Sequence, residues 1–429
     1  MRLSVTVPLV TLGSVSLFAV ALAAPSSGAV TGAAACSHAQ PSVSSTEATR
    51  LAQPTSKSDA RPLGESLGDG ISTAIRSLEP LDATGRPTSG LPYGLSQGVI
   101  GVVGSATTGY AVVVDAAKVD TKKYQAAMDR NLPAAGKPMV KLVHSCRSAQ
   151  AIADTWNAVA ERAWSSDAAR TTFAADLDPS SEDVVVSYDQ ATTSPASLAG
   201  LRRLTGVQLV ADSLARTSRL SDTPKGGHWG GARITSALKN CTAGFSVVRR
   251  SNGQRGSVTA GHCGAPGTEW KSGTNYYGTT AVRTDYPDYD QSLITGSAYG
   301  PKIWTDGPGD PANTRTVTGG GDPGVGTSVC QSGSFSTSTC GLTVRSTSAS
   351  YCDSDGCTTY VIRATRGGLV AIIGGDSGGP VYSRRGSSSA TIRGIAFAGA
   401  GCAASRCTTL YAERYKSITG HLGVTALTG

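Results

Sequence analysis

The sharpest chemical signal in this 429-residue chain is Gly375-Asp376-Ser377-Gly378-Gly379-Pro380. A serine hydroxyl is a weak nucleophile until a base takes its proton as it attacks. The attacked carbonyl oxygen gains negative charge, and each backbone N–H aimed at it is worth about 3 kcal/mol. Glycines around Ser377 allow a turn tight enough to aim two such donors, the N–H groups of Gly375 and Ser377. The base follows by elimination. Beyond residue 215 only His228, His262 and His421 remain, and His228 lies in a Gly-rich stretch while His421 is close to the C-terminus. His262 stands in Thr259-Ala260-Gly261-His262-Cys263, beside a cysteine whose disulfide would pin the backbone next to the imidazole.

A third group must hold the imidazole tautomer: a buried carboxylate accepting the Nδ1–H. Asp285, Asp288 and Asp290 are the candidates. Asp290 fits best, because Ser292, Leu293 and Ile294 follow it as a core strand, with the other two as surface charges. Gly375 to Gly379 also fits the G-x-S-x-G turn of α/β-hydrolases, which needs an acid and then a histidine after the serine. Glu413 and His421 occur in that order. They sit in a region without alternating strands and helices, so that reading fails.

The elements that must position these groups are short β-rich runs between Gly-rich turns, such as Phe245 to Val248, Tyr360 to Ile362, Val370 to Ile373 and Ile392 to Phe397. Such a pattern predicts an antiparallel sandwich or barrel over residues 229–429. Upstream, residues 98–215 mix strands (99–103, 110–114, 140–143, 173–177, 184–188, 207–210) with helices (122–128, 149–164, 197–204) and predict a smaller α+β unit. His144 in that unit is assigned to packing. Residues 25–97, rich in Ala, Ser, Thr, Gly and Pro, read as a flexible spacer. Residues 216–228, crowded with Arg, Ser, Asp, Pro and Gly, read as an exposed processing linker, with cleavage between Ala215 and Gly231.

Residues 1–24 combine Met1-Arg2, a charge-free apolar stretch and Ala21-Leu22-Ala23, the pattern of a secretory signal. The ten cysteines agree with export and disulfide formation, and no histidine stands near the C-x4-C pairs to suggest zinc. Neither a metal nor another cofactor is expected. The net charge of +8 is scattered, which argues against nucleic acid as a partner, and no membrane association is expected after signal removal.

In combination, Cys241-Thr242-Ala243-Gly244-Phe245, the His262 motif, the Asp290 strand and the Ser377 motif resemble the trypsin-like serine peptidases, in particular their bacterial streptogrisin and α-lytic protease branch. The resemblance covers residues 229 to the end. It implies an all-β fold of two six-stranded antiparallel barrels, preceded by a smaller α+β propeptide domain that aids folding and inhibits the enzyme. It also implies a secreted, extracellular endopeptidase made as a zymogen and acting on polypeptides. A catalytically silent protease fold used for binding, or an esterase with the same triad, is the alternative. The family pattern pairs Cys241 with Cys263 and Cys330 with Cys340; Cys352–Cys357 and Cys402–Cys407 are local extras, and Cys36–Cys146 falls in the propeptide. Two departures stand out. Gln331 occupies the place where relatives carry an Arg or Lys that pairs with the Asp before the nucleophile, and Phe397 replaces a serine near the catalytic acid. Substrate contacts map to Ala371, Phe397, Ala398 and Gly399. With Ala371 where trypsin-like relatives carry an Asp, an apolar side chain before the scissile bond is expected.

Overall fold

A computed structural model describes residues 37–54, 62–83, 85–189, 193–212, 227–305, 310, 312–403 and 405–429. The expected signal segment and most of the processing linker lie outside these residues, as does Cys36 of the expected Cys36–Cys146 bridge.

The segment read as a spacer is helical over much of its described length. Ser44 and Glu47 form a reciprocal capping box at the start of Ser45–Ala52. The helix Leu63–Arg76 places Leu63, Leu67, Ile71 and Ile75 four residues apart on one buried stripe. They share a core with Tyr110, Val112, Val114, Tyr124 and Met128. The composition hid this helix because its small residues serve packing: a Cβ on Gly68 would lie 2.6 Å from the Val325 carbonyl, so glycine permits the close approach of helix and later chain.

The strands expected in 98–215 form, but in two places. Val99–Ser105, Gly109–Val114 and Val140–His144 make a separate three-stranded sheet. Phe173–Asp178 and Asp183–Asp189 form an antiparallel hairpin, with Val207–Asp212 parallel beside it. That hairpin joins the sheet of the C-terminal half: Ala174 stands opposite Tyr351 and Phe173 opposite Cys352. His144 is exposed, so it has no packing role.

Apart from the 3-10 turn Gly261–Cys263 and the helix Tyr415–His421, the regular elements described in residues 228–429 are strands, in an eight-stranded sheet and a thirteen-stranded sheet that includes the joined hairpin. Within the larger sheet six strands pair in a closed circuit: Ser328–Gly333, Thr337–Asp353, Gly356–Thr365, Arg406–Arg414, Ser389–Ala403 and Pro380–Arg385, returning to Ser328–Gly333. The eight-stranded sheet follows an open order and exceeds the expected six strands. Within the described part of residues 228–429 two pairings are parallel, His228–Gly230 with Tyr299–Trp304 and Thr314–Gly320 with Ser389–Ala403, so the expectation of purely antiparallel sheets is corrected. Among the described residues no helix is long and apolar enough to cross a membrane.

Candidate active site

His262 lies in the short 3-10 turn Gly261–Cys263, directly after the strand Arg255–Thr259. The disulfide Cys241–Cys263 ties this turn to the strand Asn240–Thr242. Asp290 precedes the strand Ser292–Thr295, which pairs with Arg255–Thr259, and this register brings the acid to the histidine. Its carboxylate is fully buried and accepts twice from one residue: the His262 backbone N–H on Oδ1 and the ring Nδ1 on Oδ2, both at 2.8 Å. With Nδ1 so engaged, Nε2 is the ring atom left to face a reactant. Asp285 and Asp288 are exposed.

Ser377 is 3% exposed, on the turn between the strands Ile372–Ile373 and Pro380–Arg385. Cys263 Sγ lies 4.0 Å from His262 Nε2 and 3.9 Å from the Ser377 carbonyl oxygen, so one sulfur touches both residues across the interface of the two sheets. Ser377 Oγ donates to the Phe397 carbonyl at 3.4 Å. The neighbouring amides are engaged: Gly374 N–H on Ser405, Asp376 on Ile373, Gly378 on Ala396 and Gly379 on Asp376. Among the described residues the N–H groups of Gly375 and Ser377 have no acceptor, which leaves this pair available to an incoming oxygen.

The two departures are resolved differently. Phe397 is buried, with its ring edge-to-face on Tyr351 at 5.8 Å, in a strand that bulges between Ala396 and Ala398. Its backbone, rather than its side chain, meets the serine. Asp376 is fully buried without a cation, its carboxylate held by the backbone N–H groups of Phe335, Ser336 and Ile373. Burial outweighs these bonds and pushes its pKa up to about 6.

A cleft beside Ser377 is lined by Ile372, Ile373, Phe397, Ala398, Gly399 and Cys407. Ala371 is not in its wall; it packs in the core with Val329, Leu342 and Val381. The eight expected cysteines form Cys241–Cys263, Cys330–Cys340, Cys352–Cys357 and Cys402–Cys407. The last bridge brings Cys407 to the cleft.

No family model matches the chain. Over 219 residues it is 29% identical to streptogrisin-C of Streptomyces griseus, a match covering 51% of this chain and 45% of that protein. The chain is similar to the streptogrisin-type serine peptidases. It spans less than half the length of that relative. Among solved structures it is similar to Thermobifida fusca protease A, at 29% identity over 47% of this chain and 98% of that one, with a TM-score of 0.39. It is also similar to the Cellulomonas bogoriensis chymotrypsin, at 27% identity over 47% and 98% of the two chains and a TM-score of 0.38.

Three supporting residues escaped the sequence reading. Thr242 Oγ1 donates to the Gly375 carbonyl at 2.7 Å and accepts from Ser334 N–H, fixing the turn before the serine. Glu413 is buried and accepts the Asp290 N–H at 2.9 Å, while Ser417 donates to its other oxygen. Burial raises its pKa, against the Arg86 charge and the Asp290 N–H. Lys239 Nζ donates to the His262 carbonyl at 2.6 Å. The only signal for Thr242 was its place in the Cys241 motif, and Glu413 surfaced only as the acid of the rejected G-x-S-x-G reading.

Proposed function

We propose that the chain is the precursor of a secreted serine endopeptidase, with Ser377 as nucleophile, His262 as general base and then acid, and Asp290 as the orienting carboxylate. The observation that carries this reading is the double hold of Asp290 on His262, with Ser377 reached across the Cys241–Cys263 disulfide. Asp290 Oδ2 keeps the ring proton on Nδ1, so Nε2 takes the Ser377 proton as Oγ bonds to the substrate carbonyl carbon. The oxygen of that carbonyl becomes an oxyanion held by the N–H groups of Gly375 and Ser377. The imidazolium returns its proton to the leaving amine as the C–N bond breaks. Water then hydrolyses the acyl-enzyme by the same proton relay.

The remainder of the reading rests on the similarity. Residues 37–212 act as a propeptide, supported by the hairpin strand Phe173–Asp178 pairing with Thr337–Asp353 and by the ion pair Arg363–Asp176 at 2.8 Å. The two sheets of residues 228–429 are read as the two barrels of a chymotrypsin-like fold, and processing as occurring between Ala215 and Gly231. The apolar cleft walls formed by Ile372, Ile373 and Phe397 favour an apolar side chain before the scissile bond. Turnover of short chromogenic peptides ending in Arg but not Phe would overturn that preference.

One observation favours a catalytically silent fold: Ser377 Oγ is bonded to the Phe397 carbonyl. A fluorophosphonate probe separates the two. Labelling of the secreted, processed protein, lost in Ser377→Ala, is the outcome for catalysis; an unlabelled protein is the outcome for a binding role. Comparison of peptide with ester turnover then separates peptidase from esterase.

A further inference from the structure

Ser377 belongs to the larger sheet and the His262–Asp290 pair to the smaller one, so catalysis needs ties that hold the two sheets in register. One tie lies behind the catalytic acid. Asp290 leads into the strand Ser292–Thr295 of the smaller sheet, and its N–H donates to Glu413 Oε1 at 2.9 Å. Glu413 lies on the strand Arg406–Arg414 of the larger sheet, opposite Ile395 of Ser389–Ala403. The latter strand carries Phe397, whose carbonyl accepts the Ser377 hydroxyl at 3.4 Å. Contacts therefore close a ring: Ser377 to Phe397, across the paired strands to Glu413, on to Asp290 and His262, and back through the Cys263 sulfur. Glu413 is itself firmly held. It is fully buried, and its Oε2 accepts from the Ser417 hydroxyl at 3.1 Å. The next residue, Arg414, is also buried and donates to the Tyr360 carbonyl at 2.6 Å and to Asp322 at 3.0 Å. A carboxyl in such a place costs stability unless its bonds are needed. At position 397, where the resembling family carries a serine near the acid, the Phe397 ring turns to Tyr351 instead.

Resting on the serine-peptidase reading, we propose that Glu413 is a positioning residue for the catalytic acid. By holding the Asp290 N–H, it fixes the Asp290 carboxylate, and through it the His262 ring, to the sheet that carries Ser377. Asp290 is fully buried, so removing this acceptor leaves its amide to seek another partner or to bear the cost of having none. Either way the residue shifts, and the two bonds from its carboxylate to His262 shift with it. A misplacement of about 1 Å in a catalytic group costs on the order of 10²-fold in rate. What the amide requires is an oxygen, not a charge, and burial favours the neutral form of Glu413. A side-chain amide in its place therefore keeps the link, while a hydrocarbon of similar size breaks it.

The test separates the acceptor from the shape. kcat and KM for a peptide anilide are measured on the secreted, processed protein and on Glu413→Gln and Glu413→Leu, with the folded fraction of each counted by fluorophosphonate labelling. Glu413→Leu should lower kcat by about tenfold or more with KM nearly unchanged, while Glu413→Gln stays within about threefold of the parent. A parental kcat in Glu413→Leu, or an equal loss in both variants, overturns the proposal. The proton on His262 Nδ1 supplies a readout independent of turnover. In the full-length Ser377→Ala chain its low-field NMR resonance should persist with Glu413→Gln and move upfield with Glu413→Leu; an unmoved resonance in the latter overturns the proposal. If Glu413→Leu is not secreted, Ser417→Ala takes its place, because it loosens the other Glu413 oxygen by the loss of one small group. That variant should show a lower kcat at unchanged KM, and a parental kcat overturns the proposal. A parent that the probe does not label, or labelling that survives Ser377→Ala, sinks the peptidase reading instead, while the Nδ1 resonance still reports on the Glu413 link, so the two failures are distinct.

Discussion

A carboxylate that accepts both the amide and the ring N–H of one histidine sets its position and its tautomer together. Replacing Asp290 by Asn presents an N–H to Nδ1 and favours the opposite tautomer, so kcat should fall by about 10⁴-fold near neutral pH with the fold intact. Steady-state kinetics with circular dichroism checks this. Behind Asp290, Glu413 is an acid whose folded-state pKa is raised, mainly by burial. Its contribution to stability is therefore present below the ordinary carboxylate range and is lost as pH rises through the folded value. In the Ser377→Ala chain, Glu413→Gln should be more stable than its parent at pH 7, with the difference vanishing near pH 4. Unfolding midpoints across that range measure the sign.

At the scale of elements, the site depends on two close approaches. Gly378 has φ +92°, and a Cβ there would lie 2.1 Å from Thr259 Oγ1 and 2.2 Å from the Thr242 carbonyl. Gly378→Ala combines left-handed strain with overpacking and should cost about 3 kcal/mol or more, removing probe labelling. Denaturant titration in the Ser377→Ala chain gives the magnitude. The second approach is the Cys241–Cys263 bridge, whose ends are 22 residues apart in sequence. Removing both cysteines should cost about 3 kcal/mol by the loop-entropy argument. It should also lower probe labelling more than stability alone explains, because the Cys263 sulfur contacts both the His262 ring and the Ser377 carbonyl.

At the scale of the whole molecule, the N-terminal residues reach the segment that leads into Asp290. Arg86 Nη2 donates to the Asp288 carbonyl at 2.9 Å, and its guanidinium lies 3.6 Å from the centre of the Tyr289 ring. The joined hairpin strand stands opposite Tyr351, whose ring supports Phe397. Docking of residues 37–212 thus touches the neighbours of both Asp290 and Ser377. Arg86→Ala should weaken this hold by about 2 kcal/mol, from one charge-assisted bond and one cation–π contact. Faster hydrogen exchange over residues 285–290 in the full-length Ser377→Ala chain is the expected sign.

Local chemistry made much of this protein legible from its sequence. The Ser377 and His262 motifs, the acid before the Leu293 strand and the strands and helices of 98–212 all carry short-range signals: turn glycines, a flanking cysteine, apolar runs of fixed period. Tertiary structure alone decided what depends on contact across long separations. The helix Leu63–Arg76 was hidden because its glycines acquire meaning only against distant chain, Gly64 against Ala106, Gly68 against Val325 and Gly70 against Asn131. The hairpin of 173–189 left its own unit because an open strand edge pairs with whichever edge the fold presents. Asp376 took three backbone donors in place of a side-chain cation, an exchange invisible in residue types because every amide N–H is the same donor.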